Sequence, residues 1–587
     1  MTCAFEIQYV SHRHNHSVII GMAKLLLASC LTASLALFAG CSDYNDRSDS
    51  MVKAGKPNIL LIVADDMGFS DLGIYGAEIS TPNVDALAKQ GVMFTEFHVA
   101  PNCGPTRGSL LTGLDFHRAG MGGNPEVISE NQKGSPAYQG FLRDDVVTVS
   151  ELLQEDGYRT FMAGKWHLGK NKRNLPGGRG FDRSFALLNG GASHWADQAA
   201  MIPGSMTRYT ENDLQVEELP DDFYSTTFYT DLTIEFISDA AAKQQPFFAY
   251  LAYTAPHNPL HAPDEAIEKY RGRYTNGWDA LAAERIERMR QLGLLNPSQH
   301  PHPRPDWLLA WKDLTPEQQI NRARDMEIYA GMIDFMDQNI GRVLQHLKKT
   351  GQFDNTLIIF MSDNGPSKTT ILDYISLGGE AKDFFESFNN SLSNRGRPGS
   401  STDIGPGWAY AIAAPMRLSK GYVAQGGIRV PLIVKPIERR GSTRRLDTPV
   451  HITDLAPTFL ELAEVRQPNK WHDIEVAAIQ GRSLAPLFDG KVGSSWMDRG
   501  LGWSAYGMDA YRRGHWKVLR LPPPFGTGDW QLYNLSEDPG ETRDIAALYP
   551  QRVAELSSAW EEYAKTNGVI TPNKPVAYAR PVSNGKY

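Results

Sequence analysis

Two apolar runs in this chain break off in the same way. "NILLIVADD" closes on Asp65 and Asp66, and "NTLIIFMSDN" closes on Asp363 and Asn364. An unbroken apolar run of this length reads as a strand covered on both faces, as in the parallel sheet of an α/β layer. Between the two runs, helical patterns ("TPNVDALAKQGV", "VVTVSELLQEDGY", "DMEIYAGMIDFMDQNIGRVLQHLKKTGQ") alternate with strand patterns ("MFTEFHVA", "RTFMAGKWHLG", "QPFFAYLAYTAPHNPL"). After the second run, "RVPLIVKPI" reads as a strand and "TDLAPTFLELA" as a helix. The expected fold is α/β, a large mostly parallel mixed sheet flanked by helices. Ligands of such sheets bind outside the carboxyl ends of the strands, the edge where Asp65, Asp66, His167, His257, Asp363 and Asn364 fall. Residues 171–240, 262–322 and 367–415 read as long irregular loops over that edge. Past residue 500, "HWKVLRL", "WQLYNLSED" and "PQRVAELSSAWEEYAKTNG" suggest short antiparallel strands and a closing helix. The division expected is a catalytic domain over 57–500 and a smaller C-terminal α+β subdomain over 501–587.

Carboxylate and amide oxygens at the ends of two core strands suit a hard divalent cation such as Ca²⁺ or Mg²⁺. No Cys or His spacing of a zinc site is present. Lys165 and His167 in "GKWHLG", His257 and His261 in "APHNPLHAP", and Lys420 in "RLSKGYVAQGGIRVP" add cations and titratable bases. His167 and His257 each close an apolar run at the inferred edge; His117 and His451 do not and are read as structural or exposed. A metal ion, fixed positive groups and a nucleophile together describe a site for an oxyanion ester.

The nucleophile is suggested by the cysteines. "MAKLLLASCLTASLALFAGCS" has a lysine, a short apolar run and small residues before Cys41, so residues 1–41 read as an export signal, with Met22 as an alternative start. The ending "LFAGC" is similar to a lipobox, which would place a lipid on Cys41 and make it the chain's one membrane attachment, with residues 42–56 as tether. Removing the signal takes Cys3 and Cys30 with it, and Cys103 is left as a free thiol in an exported protein, where thiols ordinarily pair. The formal net charge of −8, without a basic patch interleaved with aromatics, argues against a nucleic-acid partner.

"CGPTRGSLLTG" around Cys103 resembles the signature of the sulfatase family. "NILLIVADDMGFSDLG", "GKWHLG", "PHNPLHAP", "SDNG" and "GGIRVP" resemble its other blocks in the family's order, over roughly residues 57–570. Within the family, "GPGWAYAIAAPMRLSKGYVAQGGIRVP" looks most like bacterial arylsulfatases. The resemblance implies an alkaline phosphatase-like fold and a sulfuric ester hydrolase acting on a small-molecule sulfate ester. It implies that a separate maturation enzyme oxidises Cys103 to 3-oxoalanine (formylglycine), reading Pro105 and Arg107 in the unfolded chain; Thr106 stands where Ser is commonest. It implies Asp65, Asp66, Asp363, Asn364 and the modified Cys103 as calcium ligands. Arg107 and Lys165 would hold the aldehyde hydrate, with His167 as the base for its collapse. His257 and Lys420 would bind sulfate oxygens and aid the departing alkoxide. The expected location is the periplasm, on the outer membrane as a lipoprotein. Two alternatives stand beside this reading: a relative that uses the same modified residue on phosphonate monoesters or phosphodiesters, and an inactive relative that binds sulfated glycans.

Overall fold

The structure, a computed structural model, describes residues 55–370, 379–437 and 444–574. The expected export signal, Cys41 and all but the last two residues of the expected tether lie outside the described residues. In chain order the strands of the main sheet are β1 (Asn58–Ala64), β2 (Val92–Phe94), β3 (Arg159–Lys165), β4 (Arg183–Leu187), β5 (Tyr209–Glu211), β6 (Leu214–Val216), β7 (Phe247–Ala252), β8 (Thr356–Ser362), β9 (Leu432–Lys435) and β10 (Arg444–Leu446). Across the sheet they run β10-β2-β9-β8-β1-β7-β3-β4-β5-β6. The central strands β8-β1-β7-β3-β4 are parallel. β9 lies antiparallel to β8 and β2, and β5 and β6 close the opposite side antiparallel.

β1 shows why its sequence is an unbroken apolar run. Leu60 and Ile62 point into one buried core, and Ile59, Leu61 and Val63 into the other. The first core is closed by helices Pro82–Gln90, Ser225–Ala242, Gly277–Gln291 and Pro316–Lys349. The second is closed by Cys103–Thr112, Val149–Glu155 and Leu455–Leu462. With both faces covered, period-two alternation between polar and apolar has no place in the central strands.

The C-terminal region is a four-stranded antiparallel sheet, Gly500–Ala505, Met508–Arg513, Trp516–Arg520 and Gln531–Asn534, with helix Pro550–Asn567 against it. Trp503, Met508 and Leu519 extend the second core. Trp503 Nε1 donates to the carbonyl of Val99 at 2.9 Å, tying this sheet to the segment that leads into Cys103.

The segments expected to be irregular hold more helix than their composition suggested. Residues 225–242, 277–291 and 405–413 are helical, and the long helix read from Asp325 begins at Pro316. Thr315 caps that start, accepting from the Gln318 N–H while the Gln318 side chain reaches back to the Thr315 N–H. Among the described residues, no helix is long and apolar enough to cross a membrane.

Candidate active site

The parallel register of β1 and β8 runs from Asn58 opposite Thr356 to Ala64 opposite Ser362, so the dipeptides that follow leave the sheet side by side. Ser362 stitches the two exits, with its hydroxyl donating to the Asn364 carbonyl at 2.9 Å and accepting from the Met67 N–H at 3.0 Å. β3 delivers Lys165 and then His167, and the segment after β7 delivers His257. Helix Cys103–Thr112 points its N-terminus at the same place, with Cys103 first and Arg107 one turn on. Lys420 comes from a turn locked by glycines. Gly365 donates to the Gly427 carbonyl at 3.1 Å, and a Cβ at Gly365 would lie 1.9 Å from the Gly426 oxygen, so only glycine permits the approach. Asp66 (φ 65°) and His167 (φ 57°) adopt left-handed backbone, which non-glycine residues seldom do. None of Asp65, Asp66, Cys103, Arg107, Lys165, His167, His257, Asp363, Asn364 and Lys420 is more than 6% exposed.

Each acid in this cluster faces a cation. Lys165 Nζ lies 2.6 Å from Asp65 Oδ2. Lys420 Nζ lies 2.6 Å and 2.8 Å from the two oxygens of Asp66. Arg107 Nε donates to Asp363 Oδ2 at 2.9 Å, with Nη2 2.8 Å from the same oxygen. Arg107 Nη1 donates to the Lys165 carbonyl at 2.8 Å, fixing the end of β3 relative to the Cys103 helix. Burial opposes ionisation of Asp66, but the ammonium groups of Lys420 and Lys165 hold its carboxyl below the usual range. Burial, reinforced by Lys420 and Lys165, keeps the His257 imidazole neutral, so the charge on Asp66 is matched by Lys420. Its Nδ1 donates to the Asn258 carbonyl and its Nε2 accepts from Lys420 Nζ at 3.2 Å. Burial pushes the Cys103 thiol up, and the Lys165 and Lys420 ammonium groups, with His167 close by, bring it down to about 6.

The acids have room for a cation. Asp65, Cys103 and Asp363 offer donor atoms within 4.8 Å of one another, as do Asp65, Asp66 and His257. Asp65 Oδ1 and Asn364 Oδ1 are buried without a hydrogen-bond partner. An orphaned carboxylate oxygen and an orphaned amide oxygen in one buried cluster are expensive, and burial pushes the Asp65 carboxyl well above the usual range in spite of Lys165. A hard divalent cation relieves all of this, and the donors fit one. Three carboxylates are already balanced by Lys165, Lys420 and Arg107, so such an ion would make the pocket net positive and attractive to an anionic ester.

Asp65, Asp66, Cys103, Arg107, Lys165, His167, His257, Asp363, Asn364 and Lys420, all read from the sequence, therefore lie in this one cluster. His261 does not join it: its Nε2 donates to the Ser400 carbonyl at 2.9 Å and its Nδ1 accepts from the His194 N–H at 3.2 Å, a structural role. His117 pairs with Asp115 at 2.9 Å and His451 with Thr453 at 2.9 Å, both away from the site. Sequence reasoning missed the groups that reach the site from other elements. Tyr250 on β7 accepts from Arg107 Nη1 at 3.2 Å. Asp71 accepts from the Gly68 N–H and the Tyr329 hydroxyl at 2.7 Å and from Arg285 Nη1 at 2.5 Å, bracing the loop after Asp66. Glu126 places Oε2 3.6 Å from His167 Nε2. The Asn102 amide, just before Cys103, donates to the Tyr506 hydroxyl at 2.7 Å.

Residues 57–465 match the family model described as Sulfatase. The chain belongs to the sulfatase family. An uncharacterized sulfatase of Schizosaccharomyces pombe is 41% identical over 540 residues, covering 90% of this chain and 96% of the relative. An arylsulfatase of Klebsiella aerogenes is 39% identical over 434 residues, covering 72% and 91%. The crystal structure of Ps i-CgsB in complex with k-i-k-neocarrahexaose superimposes with a TM-score of 0.62 at 27% identity, covering 88% of this sulfatase and 94% of that chain. The protein is thus an enzyme of the sulfatase class, a hydrolase of sulfate esters.

Proposed function

We propose that this sulfatase cleaves aryl sulfate monoesters with formylglycine made from Cys103 and a calcium ion held by Asp65, Asp66, Asp363, Asn364 and residue 103. The observation that carries the reading is the pair of unpartnered buried oxygens, Asp65 Oδ1 and Asn364 Oδ1, in the cluster that holds Cys103. When present, the cation supplies Lewis acidity at the sulfate oxygens and the oxidised side chain supplies a hydrated aldehyde as nucleophile. The chain's own residues do the rest. Arg107 and Lys165 put two fixed positive charges beside residue 103, and the N-terminus of its helix adds a partial one. His167 takes up a proton at an imidazole nitrogen on the side of residue 103. Lys420 and His257 hold the proton that the departing oxygen needs, within a hydrogen bond of 3.2 Å. The 39% identity to an arylsulfatase supports an aryl ester as substrate. From its leader we also place the protein in the periplasm, lipid-anchored through Cys41.

The deciding experiment is the mass of the tryptic peptide carrying residue 103, from protein made in a host with the maturation enzyme, followed by kcat/KM on matched aryl sulfate, phosphodiester and phosphonate esters. A lighter peptide that resists thiol alkylation, with the sulfate ester preferred, is the expected result. An intact thiol in fully active protein, or a preferred phosphorus ester, sinks the reading.

A further inference from the structure

His167 is a buried base with its polar contacts incomplete. Neither ring nitrogen has a hydrogen-bond partner, and Gly190 packs so closely on the ring that a Cβ there would lie 2.9 Å from Cε1. The carboxylate facing it is Glu126, 3.6 Å from Nε2, with a side chain 36% exposed. Glu126 sits on the single turn Pro125–Val127, and that turn is anchored to the catalytic helix. Asn124 Oδ1 accepts from the Gly104 N–H at 3.2 Å, and the Val127 N–H donates to the Asn124 carbonyl at 3.0 Å. A Cβ at residue 104 would come within 2.8 Å of that same Asn124 oxygen, so the glycine after Cys103 is what lets the turn dock. The first turn of the Cys103 helix and the carboxylate beside His167 are therefore parts of one fixed assembly.

We propose that Glu126 is the positioning residue for His167. Its carboxylate accepts a hydrogen bond from Nε2–H, which fixes the ring and leaves Nδ1 as the basic nitrogen. The separation of 3.6 Å must shorten by a few tenths of an ångström to make that bond, and catalytic hydrogen bonds commonly tighten when substrate is bound. The inference rests on the sulfate-ester reading of the site and adds a residue to it.

The test is a double-mutant cycle on p-nitrophenyl sulfate with the matured full-length enzyme. Glu126→Ala should lower kcat about 10- to 100-fold with KM within about twofold, the size found when a partner that orients a functional histidine is removed. Glu126→Gln keeps an accepting oxygen at the same reach and should stay within about threefold of wild type. In a His167→Ala background, Glu126→Ala should add less than about a twofold loss. A folded Glu126→Ala enzyme with unchanged kcat overturns the proposal, as does an equal loss with and without His167. If the alanine variant does not fold, Glu126→Asp replaces it: its shorter reach should cost kcat while Glu126→Gln does not, and the reverse order overturns the proposal. Absence of turnover in matured wild-type protein would instead overturn the sulfate-ester reading, and the proposal with it.

Discussion

Lys420 and His257 share a hydrogen bond of 3.2 Å in which the ammonium donates and the imidazole Nε2 accepts, while the same ammonium holds the Asp66 carboxylate. The histidine is thereby presented as a neutral ring next to a proton source. A departing oxygen of high basicity gains from such a pair, and one of low basicity does not. His257→Ala should therefore cost more kcat/KM on alkyl or unactivated aryl sulfates than on p-nitrophenyl sulfate. The slope of log kcat/KM against leaving-group pKa measures this; equal losses along the series would remove the role.

The orphaned oxygens of Asp65 and Asn364 predict a stability that depends on cation. Ca²⁺ at about 100 times its Kd should add about 2.7 kcal/mol to the folded state, seen as a rise in Tm that a chelator reverses. Asp65→Ala and Asn364→Ala should each abolish most of that rise. A Tm indifferent to Ca²⁺ and chelator in the wild-type protein would contradict the metal site.

Arg285 is buried between Asp71 and Glu78, donating to both. Removing one partner from a buried ion network leaves charge uncompensated, at about 3–5 kcal/mol. Arg285→Ala should lose stability of that order in urea unfolding, and because Asp71 braces the loop after Asp66, it should also weaken Ca²⁺ binding. A loss below about 1 kcal/mol would mean the network contributes little.

His98 and His451 are buried, and burial with the nearby charges of Arg512 and Arg499 lowers both imidazoles from 6.5 to about 3. Below the ordinary histidine pKa the unfolded chain binds protons that the folded chain refuses, so their contribution is whole above pH 6.5 and is lost as pH falls. Each contributes a slope of about 1.4 kcal/mol per pH unit. Asp337, with its carboxyl raised by burial to about 6, and Asp65, raised by burial well above the usual range, oppose them, while His194, His261 and His302, lowered by burial to about 3, 4 and 4, add to the decline. The urea midpoint should fall between pH 7 and pH 5, and His98→Gln should flatten the decline; a midpoint that holds or rises would refute the assignment.

Much of the site was legible because it lies at strand ends. Asp65, Asp66, Lys165, His167, Asp363 and Asn364 each follow an apolar strand, and parallel pairing gathers such ends at one edge. The missed parts arrive from elsewhere. Helix 277–291 buries Trp278, Leu281, Ala282, Arg285 and Met289 at helical spacing, but the buried position filled by Arg285 breaks the apolar stripe, and its reason lies in Asp71 and Glu78. Helix 405–413 opens on Gly-Pro-Gly, poor helix formers, and is held by Trp408 packing against Trp278 and Trp311. The start of the long helix, by contrast, was written in "TPEQ", a capping box with proline at the first helical position. Glu126 had no local signal, because its meaning depends on where β3 places His167.

Cys103 has no exposed surface, and two groups that secure the approach to its helix, Trp503 on the Val99 carbonyl and Tyr506 on the Asn102 amide, come from late in the chain. In the proposed maturation, translation order would act as a timer. An outside enzyme would reach the thiol while the chain is nascent or unfolded, and docking of the C-terminal sheet would end that interval. The chemical fate of residue 103 would be settled once in the life of each molecule.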